Sequence, residues 1–61
     1  MANLTTKELT ALEDQLGIEQ TLIKKYGAMA TQCTDPALQT KLAAIAGRHK
    51  KHYTTLVGHL N

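Results

Sequence analysis

Three residues of this chain carry chemistry beyond packing: Glu19, His49 and His52. A carboxylate and two imidazoles form a donor set that suits zinc, iron or manganese. The same groups with protons in place of a metal make a hydrogen-bonded polar layer. His49 and His52 lie three apart, so on a helix both rings leave by one face, within reach of a carboxylate on a facing helix. The surrounding pattern is what turns them inward. Leu9, Leu12, Leu16, Glu19, Ile23, Tyr26, Ala30 and Cys33 alternate spacings of three and four, and Leu38, Leu42, Ile45, His49, His52, Leu56 and His59 do the same. Each set is a heptad seam, which implies two helices packed in a left-handed supercoil.

An unpartnered buried carboxylate costs several kcal/mol, so Glu19 needs a cation, a proton or a metal. Three readings follow. Glu19, His49 and His52 form a structural hydrogen-bond network that fixes helix register, or they ligate a transition metal, or they lie solvated at the bundle surface. Tyr26 and Tyr53 are within reach of the layer, although a tyrosine at helical spacing commonly packs with its hydroxyl wet. His59 continues the seam near a fraying end. Cys33 reads as a small hydrophobe beside the turn, because no His or cation adjoins it in the expected pairing to make a reactive thiolate.

The helices that must position these groups carry their own punctuation. Thr5 is placed to cap a first helix, Glu8 completes a capping box, and Leu4 and Leu9 can close a hydrophobic staple. The pattern breaks at Thr34-Asp35, where Asp35 can cap a second helix and Pro36 can occupy its first position. The spacing thus predicts one domain over residues 1–61, with a helix at about 6–33, a turn at about 34–35 and a helix at about 36–60. Each helix would span on the order of 40 Å, and so short a connection makes them antiparallel. A hairpin turning near Asp35 sets Cys33 opposite Leu38, Tyr26 opposite Ile45, Ile23 opposite His49, and Glu19 opposite His52.

Composition points to self-association. A chain of 61 residues buries too little apolar surface to be stable alone with any margin. With 43% hydrophobic but only 3% aromatic residues, its core must be aliphatic. Leu22, Met29, Ala46, Tyr53 and Leu60 widen the seams beyond what one partner helix covers, so a homodimer is expected. Two copies would bring two carboxylates and four imidazoles near the bundle centre. Glycines at 17, 27, 47 and 58 fall inside the helices at roughly 1 kcal/mol each relative to alanine; close helix approach is one use for them.

A net charge of +2 is too mild to imply a polyanion partner. The run Arg48-His49-Lys50-Lys51-His52 looks basic when read linearly, but on a helix the cations spread around the outside as a solvated face. Nucleic acid is therefore not the expected partner, although an RNA-binding hairpin dimer stands as the second alternative. No apolar run approaches a membrane span, the opening residues lack a secretory signal, and the single cysteine cannot form an internal disulfide. The expected setting is intracellular.

With these residues in view, the chain resembles small ferritin-like proteins described as spore coat protein F-like. The resemblance rests on Leu4-Thr5-Thr6-Lys7-Glu8-Leu9, Leu12-Glu13-Asp14 with Glu19, Ile23-Lys24-Lys25-Tyr26, Asp35-Pro36-Ala37-Leu38 and His49-Lys50-Lys51-His52-Tyr53. It implies half of a ferritin-like four-helix bundle completed by dimerisation, a cytoplasmic or spore-associated location, and other spore coat proteins as partners. In metal-binding ferritin-like proteins a hairpin supplies one Glu from its first helix and a Glu-x-x-His pair from its second. Glu19 and His52 match the first and last of these, whereas His49 stands where the second Glu belongs, and di-iron oxygen chemistry loses a bridging carboxylate. The sequence reading is therefore an all-α, homodimeric structural or interaction protein rather than an enzyme. A metal-binding or redox protein using Glu19, His49 and His52 is its first alternative.

Overall fold

A computed structural model of the chain describes residues 4–60. Two helices, α1 (Thr6–Gln32) and α2 (Pro36–Gly58), pack against each other as an antiparallel hairpin. The Cα envelope measures 46 × 15 × 10 Å, a rod one helix thick.

Both helix starts are fixed by side chains that accept otherwise orphaned N–H groups. At α1 the Thr5 hydroxyl accepts from Glu8 N at 3.1 Å and Glu8 Oε1 accepts from Thr5 N at 3.1 Å, a closed capping box. At α2 the Asp35 carboxylate accepts from Ala37 N (2.9 Å) and Leu38 N (3.3 Å), with Pro36 at the first helical position.

The helix ends differ slightly from expectation. α1 stops at Gln32 because Cys33 takes extended backbone (φ −75°, ψ 131°), while its N–H still bonds Met29 O. Asp35 is extended too, as a residue before proline must be to avoid the ring. α2 ends at Gly58 rather than near residue 60. There His59 N and Leu60 N bond carbonyls three residues back, Leu56 O and Val57 O, and tighten the last turn.

In α1 the expected seam from Leu12 to Cys33 faces inward, every member buried or half-buried, whereas Leu9 is exposed. From Leu42 onward the buried and half-buried residues of the second arm are Leu42, Ile45, Ala46, His49, Tyr53, Leu56, Val57 and Leu60. They include Leu42, Ile45, His49 and Leu56 of the expected seam together with the flanking Ala46, Tyr53 and Leu60, whereas the seam members Leu38, His52 and His59 are exposed. One turn of helix returns to a face either three or four residues on, to opposite sides of the starting point. The facing helix selects the four-residue step here, where small Ala46 admits it closely. The most buried residues are Ala30, Leu42, Ala46 and Glu19. None of the four glycines serves close approach within the hairpin, since a Cβ added at any of them would meet nothing within 4 Å. Among the described residues no helix is long and apolar enough to cross a membrane.

Candidate functional site

Glu19 is the middle residue of the 27-residue α1 and is only 5% exposed. Its position in the seam gives the side chain nowhere to go but across to α2. There Oε1 lies 2.6 Å from His49 Nδ1, and Oε2 accepts from Gln15 Nε2 at 3.2 Å, one turn back on α1. His52 Nδ1 stands 3.8 Å from Oε2, beyond hydrogen-bond range. The partner in direct contact with Glu19 is thus His49, not the His52 that the expected pairing placed opposite it. The cause is that the interface of α2 leans toward the flanking Ala46 and Tyr53, which keeps His49 inside and leaves His52 on the rim. The side chains of His49 and His52 are 22% and 60% exposed.

These contacts favour the ionised carboxylate. The His49 hydrogen bond holds Glu19 below the usual carboxylate range; desolvation opposes this, and the Gln15 hydrogen bond and the charges of His49 and His52 reinforce it. An ionised carboxylate can only accept, so Nδ1 of His49 carries the proton of their shared bond. The Tyr26 ring stacks on His49 at 6.1 Å between centroids and 15° between planes, which fixes the imidazole from the side. His52 meets the His49 ring edge-on at 5.7 Å. One donor atom from each of Glu19, His49 and His52 can be chosen so that all lie within 4.8 Å of one another. Gln15, Glu19, His52, Thr55 and Leu56 line a shallow cleft that opens this cluster to solvent.

Other residues singled out by sequence stand apart. Tyr53 accepts a 3.3 Å hydrogen bond from Gln20 Nε2, a bridge between the helices away from the layer. His59 is exposed. Cys33 is a half-buried free thiol whose Sγ contacts Asp35 O at 3.6 Å. Arg48, Lys50 and Lys51 fan around exposed α2, and none pairs with a carboxylate among the described residues. Gln15 is the layer member that sequence reasoning missed. Its signal was present: a Gln four residues before a Glu on one helix is placed to hydrogen-bond it.

No family model matches the chain, and no solved structure matches it. Among curated proteins, the uncharacterized protein YuzM of Bacillus subtilis (strain 168) is 33% identical over 57 residues, an alignment covering 93% of this chain and 70% of YuzM. Identity at this level along nearly the whole hairpin places the chain in the family of YuzM.

Proposed function

We propose that the chain is a non-enzymatic structural or interaction protein of the spore-coat kind its sequence resembles. In this reading it works as a homodimer whose two hairpins close a ferritin-like four-helix bundle. The observation that carries it is a second set of apolar residues on each helix, which the hairpin leaves exposed (Ile18, Met29, Leu38) or only half-covers (Leu22, Ile45). On α1, Ile18, Leu22 and Met29 follow heptad spacing beside the seam, and on α2, Leu38 and Ile45 do so; Ile18 is 52% and Leu38 49% exposed. Helices with two adjacent stripes are built for two neighbours, as in a four-helix bundle. Gln15 and His52, which flank these stripes, line one cleft, so the stripes share a face of the hairpin.

The surface area supports a second copy as the occupant. The chain exposes 4692 Å², whereas a compact monomer of 6.7 kDa would expose about 3,900 Å². The excess of about 800 Å² equals what one partner contributes to a standard stable interface. Because Glu19 is the middle residue of α1, a two-fold axis either along or across the bundle brings the two Glu19 layers together.

Sedimentation equilibrium of the full chain in chelator tests the assembly. The expected mass is twice 6.7 kDa, and Ile18→Glu with Ile45→Glu should halve it while lowering helix content. A chain that stays helical and monomeric at its solubility limit refutes the bundle. The spore-coat reading is tested by fractionating sporulating cells: the tagged chain should partition with the coat, and its confinement to the soluble fraction refutes that role.

A further inference from the structure

We propose that Glu19, His49 and His52 form a mononuclear site for a divalent late transition metal of the zinc type. All three donors come from one chain, so the site does not depend on the dimer. The layer pairs an ionised, buried carboxylate with two imidazoles, and its candidate donor atoms already lie within 4.8 Å of one another. Tetrahedral coordination with bonds of about 2.0–2.2 Å needs donors about 3.4 Å apart, so the cluster must contract by little more than an ångström.

Each residue has the freedom or the restraint that this requires. Glu19 is held by Gln15 at Oε2, and His49 is held by the stacked Tyr26 ring. Such outer contacts orient ligands in metal sites generally. His52 is the adjustable member: it is 60% exposed, makes no hydrogen bond, and stands on the cleft through which an ion would arrive. Binding through His49 Nδ1 requires the ring's other neutral tautomer: the Nδ1 proton is exchanged through solvent for one on Nε2, which frees the Nδ1 lone pair for the metal with no net proton released. In the single hairpin the cleft side leaves a coordination position for water; in the proposed dimer that position faces the second copy.

The donor set also decides the class of metal. A single hairpin supplies one carboxylate and two imidazoles, a set for one ion rather than for a carboxylate-bridged pair. Two imidazoles with one carboxylate form a recurrent three-ligand set for zinc, and the general order of divalent affinities puts zinc above iron and manganese. His52 stands 3.8 Å from Glu19 Oε2 without a hydrogen bond to it, a spacing that a bound ion would close.

The test is titration of untagged, chelator-stripped full chain with Zn²⁺ by calorimetry and with Co²⁺ by visible absorption. One ion per chain is expected, with Zn²⁺ tighter than Mn²⁺ and a tetrahedral or five-coordinate Co²⁺ spectrum. His52→Ala should abolish binding with helix content unchanged, Gln15→Leu should weaken it about 10-fold, and His59→Ala should leave it intact. Absence of binding to the wild-type chain at millimolar metal overturns the site. So does binding that survives His52→Ala or that is lost equally in His59→Ala. Mass measured in the same samples separates this outcome from the dimer: a monomer that binds one ion supports the site while refuting the bundle.

Discussion

The half of the hairpin near the turn and the layer at its middle solve the same packing problem with opposite chemistry. Near the turn Ala30, Leu42 and Ala46 close the interface with apolar atoms alone, and the Gln39 amide ties α2 to Ala30 O at 3.1 Å. At the middle a carboxylate is as deeply buried as those alkyl groups, and its partners are an imidazole and an amide. The apolar tier supplies non-directional attraction that a shifted register would largely keep. The polar tier is more selective: sliding α2 by a turn in one direction would set Glu19 against Ile45 or Ala46 with its hydrogen bond to α2 unmade, and only the opposite slide, toward His52, offers it another imidazole. The contrast separates what stabilises the hairpin from what specifies it.

The largest effect should come from the apolar tier. Leu42→Ala removes its largest buried side chain and should cost about 2–4 kcal/mol, which in a chain this small approaches its whole stability. Chemical denaturation at fixed protein concentration measures it, and a cost well under 1 kcal/mol would show that the hairpin interface is not where the stability resides. Asp35→Ala at the same end leaves the first N–H groups of α2 uncapped and should cost about 1 kcal/mol, read as a lower urea midpoint with an unchanged slope. At the polar tier Glu19→Leu should alter stability less than Leu42→Ala does, because apolar replacement of a buried ionic group is often neutral or stabilising. A large loss there would erase the distinction between the tiers.

The smallest effect is the one that titrates the layer alone. Glu19 is held below the usual carboxylate range in the folded chain. Its contribution is therefore fully present above the unfolded value of about 4.3 and is lost as pH falls through the lower folded value. Thermal stability should drop along this acid limb, and Glu19→Gln should flatten that part of the profile. Glu8, which is lowered by its Thr5 hydrogen bonds, adds to the same limb and should remain in the Glu19→Gln protein.

Much of this was legible in the residues because the signals were local. Thr5 with Glu8 and Asp35 with Pro36 announce their helix starts through contacts three residues apart or less, and the hairpin follows from them. The α1 seam was readable from Leu12 to Cys33 because its apolar spacing there is nearly unbroken, whereas Leu9 at its start is exposed. In α2 the ambiguity is real: Ile45 and Ala46, or His52 and Tyr53, are equally good successors on one helix face, and the choice is made by α1 across the interface. That choice decides which histidine bonds Glu19, so the identity of the layer was readable and its internal pairing was not. Gln15 went unread because it lies beside the apolar stripe rather than in it.

The short linker has a consequence for the alternatives open to the chain. Heptad seams invite a different molecule, one continuous rod in which each seam zips onto another copy by strand exchange. Pro36 blocks it, since the ring withholds an amide and clashes with the preceding turn, at about 3 kcal/mol in a helix interior. The extended backbone at Cys33 and Asp35 leaves no helical path through residues 33–35. The chain is thereby committed to folding back on itself, so any surface it presents is the outside of a closed hairpin rather than an open seam.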